Sequence, residues 1–216
     1  MGKLSRRERE RVERRTDILD AAERIFTDKG FASTTMDEVA TAAEFGKGTL
    51  YLYFKNKDEL YVATCLRTLE RLVERYEAVA GTDDNGAETL RALGHAYVDF
   101  ARDNREQFRL GMSWLLSDFA IDPETDNYDT YRSLIQRLFG ISVAAMERGK
   151  RDGSIRDDLD TQRFALQTWG GTLGMLLLSI NREEVMRRLQ RDVDFDDLVL
   201  SFIDLMVDGI KREPNR

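Results

Sequence analysis

An all-α fold of about nine helices is what this chain predicts. Apolar residues recur at three- and four-residue steps along most of its 216 residues, and no stretch alternates with a period of two. Only two prolines, Pro123 and Pro214, stand in the way of long helices. With 42% hydrophobic and 34% charged residues, the chain can bury a real core and is not of disordered composition.

The first helix is expected from Arg11 to Lys29. Ile18, Ala21, Ala22, Ile25 and Phe26 fall on one face, Gly30 supplies a C-terminal cap, and Phe31 packs over that end. A short helix follows from Met36 to about Ala43, with Val39, Ala40 and Ala43 as its apolar stripe. Thr35 precedes it with a capping hydroxyl, and Glu38 completes a capping box. After a break at Glu44-Phe45-Gly46, a third helix is expected from about Lys47 to Tyr53, with Leu50 and Phe54 inward. Ile18, Ile25, Phe26, Phe31, Val39, Leu50 and Phe54 would form a three-helix mini-core too small to stand alone, so it should lean on the next helix.

Two short helices around a tight break are the layout of a helix-turn-helix, whose second helix enters the DNA major groove. Lys47 and Thr49 stand at the start of that second helix, where its dipole favours a phosphate oxygen. Gly48 lets the backbone come close to a strand. Tyr51 and Tyr53 can present hydroxyls to the sugar-phosphate chain, and Lys57 follows as a further phosphate partner. Taken alone, KGTLYLYF fits an amphipathic surface helix equally well.

The segment ILDAAERIFTDKGFASTTMDEVATAAEFGKGTLYLYFKNKDEL, within residues 16–60, resembles the DNA-binding region of the TetR family of transcriptional repressors, and KGTLYLYFKNKDEL is its most specific part. The resemblance covers about a quarter of the chain. It implies an all-helical dimeric regulator with a C-terminal effector-binding domain. It also places Thr35, Lys47, Gly48, Thr49, Tyr51, Tyr53 and Lys57 where DNA contacts are made. Two positions depart from the pattern: Glu44 stands where glycine is usual, and Gly46 where a serine cap is usual. A non-glycine residue at positive φ is strained, which favours a turn displaced by one residue.

A long helix from Lys57 to about Val79 bridges head and body, with Leu60, Cys65, Leu66, Leu69, Val73 and Tyr76 on its buried side. By the resemblance, it transmits ligand binding as a shift of the head. GTDDNG, residues 81–86, reads as a linker. Further helices are expected over Ala87–Asp103, Arg105–Phe119, Tyr128–Arg151 (with Pro123 at its approach), from about Thr161 to Ile180, and over Asp196–Lys211. The charged stretch 183–190 is a candidate for one more. The expected division is a DNA-binding domain over residues 1–56 and a ligand-binding and dimerisation domain over residues 57–216.

Charge sorts along the chain in the same way. Residues 1–60 carry 12 basic and 12 acidic side chains, so the whole net charge of −7 falls on residues 61–216. Residues 1–15 carry a local +4, with Arg6, Arg7 and Arg11 as candidate backbone contacts. A neutral head with a basic arm on an acidic body orients the molecule head-first toward DNA. No window approaches about eighteen consecutive apolar residues, so no membrane span is expected. The start, MGKLSRRERERVERR, lacks the apolar core of a secretory signal. A single Cys65 fits a reducing cytoplasm, and with a single His95 it argues against a Cys/His zinc site. No Gly-rich phosphate loop and no His-Glu metal pair are present, so no metal, cofactor or enzyme activity is expected.

Two sites are expected in the body. Phe108, Met112, Trp114, Tyr128 and Tyr131, with Phe139, Met146, Trp169 and Met175, are aromatics and methionines on adjacent helices that can line an adaptable apolar cavity. Each also fits plain helix core. Gly170 and Gly174 share a face in an otherwise good helix, where each glycine costs about 1 kcal/mol relative to alanine. Such a face suits the close approach of a partner helix, and Leu198, Phe202, Leu205 and Met206 of the last helix are its natural complement. In the family these two helices pair with their copies as a four-helix bundle. Room for a neighbour within the chain, or for ligand, is the other reading.

The expected function is a homodimeric, ligand-responsive repressor of a near-palindromic operator, released by a largely apolar small molecule. The alternative is a DNA-binding dimer without a small-molecule effector, controlled by a protein partner or by concentration.

Overall fold

The computed structural model describes residues 5–82, 84–115, 125–180, 182–190 and 193–212, with the backbone alone for residues 112–115, 126 and 189. The expected Pro123 approach, the Phe119 end of one helix, and the side chains of Met112 and Trp114 therefore lie outside what is described. The fold is all-α. Among the described residues ten helices run in order: α1 (Arg6–Ser33), α2 (Met36–Ala42), α3 (Lys47–Tyr51), α4 (Lys57–Ala80), α5 (Gly86–Asp103), α6 (Arg105–Leu115), α7 (Asp126–Asp152), α8 (Thr161–Ile180), α9 (Arg182–Leu189) and α10 (Phe195–Asp208). Among the described residues extended pairing is limited to one isolated bridge, Ile155 with Lys211. The chain forms two compact units: Met1–Leu69 with Glu106–Arg132, and Glu70–Arg105 with Ser133–Arg216.

In the first unit α1 begins five residues earlier than its apolar spacing suggests. The cause is local: Ser5 and Glu8 form a reciprocal capping box, which fixes the start before any residue is buried. Gly30, at φ 77°, breaks the helix where the glycine cap was expected. Thr34 then donates from Oγ1 to the Gly30 carbonyl at 2.8 Å. Ile18, Ala22, Phe26, Val39 and Leu50 have no exposed surface, and Phe54 has 2%. The same cluster takes in Leu60 and Tyr61 of α4 and Leu110 of α6. The ring of Tyr61 meets Phe26 edge-on at 5.1 Å, while its hydroxyl donates to the Leu110 carbonyl at 2.9 Å. The mini-core does lean on α4, and on α6 as well.

In the second unit α10 packs against both α8 and α5. Met146, Ile155, Leu159, Phe164, Val207 and Ile210 centre one core cluster. Gly171 is where α8 admits α10: a Cβ there would lie 2.5 Å from the Phe202 ring. Arg91 on α5 ties α10 down from the side. It pairs with Asp204, with Asp208 at 2.6 Å and with Glu88 at 3.2 Å, and Lys211 bridges Glu88 and Asp208 at 3.1 Å each. His95 Nε2 lies 3.1 Å from Asp204 Oδ1. The charged stretch that was only a candidate does form α9, where Glu184 pairs with both Arg187 and Arg188.

Candidate nucleic-acid interface

Helix α2 begins at a complete capping box. The Glu38 amide donates to Thr35 Oγ1 at 3.3 Å and the Thr35 amide to Glu38 Oε2 at 3.0 Å. Lys29 bonds the same carboxylate at 2.6 Å, and with the Thr35 bonds it holds Glu38 below its ordinary carboxyl pKa. Thr35 itself is exposed.

The turn departs from the expectation of a one-residue displacement. Glu44 takes the left-handed position itself, at φ 58°. Two backbone bonds hold it there: the Glu44 amide to the Thr41 carbonyl at 3.1 Å, and the Phe45 amide to the Ala40 carbonyl at 2.9 Å. This is the Schellman pattern, in which the residue after the cap is left-handed and the next packs back apolarly. Phe45 does pack on the head cluster. The hydrogen bonds and this contact offset the strain of a non-glycine residue, so the helix-turn-helix keeps its frame. Gly46 caps α3 without a side-chain bond.

Helix α3 places Leu50 in the core and turns the rest of its side chains outward. Lys47 is exposed, and its Nζ lies 2.7 Å from Asp37 Oδ1, a bond that raises the ammonium above its ordinary pKa. An exposed pair of this kind is weak and screened by salt, so a phosphate can displace Asp37 at little cost. Gly48 has open space where a Cβ would stand. Thr49 is half-buried and Tyr51 is 45% exposed. Since α3 ends at Tyr51, Tyr53 lies in the turn after it and packs partly on the head cluster. Arg15 of α1 stands 5.3 Å over the Phe54 ring.

Two side chains here escape sequence reasoning. Leu52, 79% exposed between the two tyrosines, is an apolar side chain on an otherwise polar face. Lys57 is half-buried, and its ammonium is already held: Nζ donates to the carbonyls of Phe31 at 2.8 Å, Thr34 at 2.9 Å and Ala32 at 3.4 Å.

The body residues fall into two groups. In the first unit Phe108 is buried, and Tyr128 and Tyr131 are half-buried. Burial pushes the Tyr131 phenol up in pKa. In the second unit the Phe139 and Trp169 rings meet edge-on at 5.8 Å, Met175 is half-buried, and Met146 is sealed in the core. Gly170 and Gly174 face open space. Leu205 is 73% exposed, while Leu198, Phe202 and Met206 are half-buried.

Residues 18–64 match the family described as bacterial regulatory proteins, tetR family. Residues 90–204, more than half of the chain, match the tetracyclin repressor-like C-terminal domain. The chain belongs to the TetR family. It is thus a DNA-binding transcriptional regulator with a helix-turn-helix. FasR, a transcriptional activator of Mycolicibacterium smegmatis, is 33% identical over 114 residues, 53% of this chain and 51% of FasR. The match thus spans about half the length of that relative. KstR2, a transcriptional repressor of the same organism, is 29% identical over 68% of this chain and 70% of its own. A Bacillus subtilis FadR structure in complex with stearoyl-CoA shares the fold at a TM-score of 0.66 and 19% identity, covering 90% of this chain and 98% of that one. No helix among the described residues of this TetR-family chain is long and apolar enough to cross a membrane.

Proposed function

We propose that this TetR-family protein is a cytoplasmic, homodimeric, ligand-responsive repressor of a near-palindromic operator. Residues 1–56 act as its DNA-binding domain and residues 57–216 as its ligand-binding and dimerisation domain. The observation that carries the reading is the outer face of α2 and α3. Thr35, Lys47, Gly48, Thr49, Tyr51 and Tyr53 present hydroxyls, an ammonium and bare backbone over a core closed by Leu50 and Phe54. Those are the groups that bind phosphate and base edges. Lys47 holds a phosphate at the start of α3 and, with Thr49, reads bases, while Tyr51 and Tyr53 hold the backbone, with Arg6, Arg7 and Arg11 of α1 as outlying phosphate contacts.

A dimer is supported by the other end of the chain. Leu166, Gly170, Gly174 and Leu178 follow one another at four-residue steps on α8, all exposed, and Leu205 adds a further exposed apolar side chain on α10. Two copies would set two α3 helices roughly 34–36 Å apart, one turn of DNA. The effector is a bulky, largely apolar molecule, in keeping with the aromatic and methionine population of α6, α7 and α8. FadR, which shares the fold, binds stearoyl-CoA. Effector and operator should weaken each other reciprocally.

A gel-shift titration with duplexes from the chain's own upstream region, repeated with stearoyl-CoA and with other apolar ligands, tests the reading. Retarded complexes that dissolve as one of these ligands is added are expected. Retarded complexes that no apolar ligand dissolves would favour control by a protein partner or by concentration. No retardation on any duplex would remove the regulator reading altogether.

A further inference from the structure

Lys57 opens α4 but its charge belongs to another helix. A cation at a helix N-terminus is disfavoured by the dipole and one at a C-terminus is favoured. Lys57 Nζ reaches across to the C-terminal end of α1, where the carbonyls of Phe31, Ala32 and Thr34 converge on it. An ammonium has three donors, and here all three are spent on carbonyls. The charge also stands 4.4 Å from the centroid of the Phe31 ring, a cation–π distance. Phe31 in turn packs on Tyr61 of α4 at 4.8 Å, a second tie between the same segment and α4.

The two ends of this bond have a particular place in the chain. Residues 31–34 come immediately before the helix-turn-helix, whose first cap is Thr35, and Lys57 comes immediately after the turn that leaves α3. We infer that Lys57 is a positioning residue that staples the entry of the helix-turn-helix to its exit, fixing α2 and α3 on α4, and is not a phosphate contact. Thr34, 1% exposed and bonded back to Gly30, completes the same junction. The inference rests on the DNA-binding reading and changes what one of its residues does there. Lys47 and Lys55, by contrast, are exposed on the outer surface, Lys47 in a displaceable pair with Asp37.

The test separates a staple from a phosphate contact by salt dependence. Each phosphate neutralised contributes a slope of about −0.9 to log K against log salt, so losing one contact in each subunit of a dimer flattens the slope by about 1.8. For Lys57→Met, operator affinity should fall about tenfold, the scale of one lost charge-assisted hydrogen bond. The salt slope should stay that of the wild type, and amide exchange at residues 31–36 should rise. A slope flattened by about 1.8 with unchanged exchange would overturn the staple. Acetylation of the wild-type protein needs no variant. Lys57 should react more slowly than Lys55 without DNA and show no added protection with it. Lys57 reacting as fast as Lys55 until DNA is added would also overturn the inference. If no duplex binds at all, the regulator reading falls, while the amide-exchange and DNA-free acetylation results still decide the staple.

Discussion

The outer face of α2 and α3 and the outer face of α8 and α10 present opposite chemistries. Around the first, the large apolar side chains Phe26, Leu50 and Phe54 are sealed, and hydroxyls and ammonium groups are turned out, with Leu52 as an exposed apolar exception among them. On the second, Leu166 of α8 stands 58% exposed, followed at four-residue steps by Gly170 and Gly174 with open space before them, and Leu205 of α10 stands 73% exposed. A polar face over a closed core suits a polyanion. An apolar stripe with small residues suits another helix at close range, and leaving it in water is the kind of exposure that marks an interface. On the proposed function, the difference gives the chain one face for DNA and one for a second copy of itself.

The same chemical deletion should therefore have opposite consequences on the two faces. Phe54→Ala should cost about 3–5 kcal/mol in urea unfolding, because it empties a closed core. Its loss of DNA binding should come with an unchanged oligomeric mass. Leu205→Ala should leave the stability of an isolated chain within about 0.5 kcal/mol. Leu205→Asp should reduce the mass in solution from twice 24.9 kDa to that of one chain, read by sedimentation. A Leu205→Asp protein that remains a dimer would erase the proposed role of the α8–α10 face.

Next in size is the polar face itself. Lys47→Ala with Tyr51→Phe should weaken operator binding and flatten the salt slope by about 1 per subunit for the lost phosphate contact, with an unchanged unfolding midpoint. A wild-type slope would move Lys47 off the DNA. Smaller again is the turn. Glu44→Gly should stabilise the head by about 1 kcal/mol, because glycine bears φ 58° without strain. Unchanged or lower thermal stability would mean that glycine's greater freedom in the unfolded chain cancels the strain it relieves.

The smallest effect lies in the body. Burial pushes the Asp204 carboxyl up, but hydrogen bonds from Arg91 and His95 outweigh it and hold it below its ordinary pKa. A carboxyl lowered on folding contributes stability that is complete above its unfolded value. That contribution is lost as pH falls through the folded one. Acid unfolding below about pH 4 should thus be shallower in Asp204→Asn than in the wild type. Identical acid limbs would show that the pair with Arg91 contributes nothing.

Much of the head was legible in its residues because its determinants are local. Thr35 and Glu38 announce the start of α2, and Leu50 and Phe54 announce the buried side of α3. What was not legible depends on backbone groups or on distant partners. The left-handed Glu44 is held by carbonyls of Ala40 and Thr41, which no side-chain pattern reveals. The partners of Lys57 lie 23–26 residues away and are carbonyls too. Leu52 reads as another apolar helix residue until α3 is seen to end at Tyr51. In the body, spacing set Gly170 and Gly174 on one face. It did not show that Gly171, between them in sequence, receives Phe202 of the same chain.

Selection of binding sites from a random duplex pool by the full-length protein bears most directly on the two-faced reading. Enriched sequences should form an inverted repeat with half-sites about one helical turn apart, and Leu205→Asp should lose the paired site before the single one. Enrichment of a lone asymmetric site by the wild-type protein, or no enrichment above the starting pool, would contradict it.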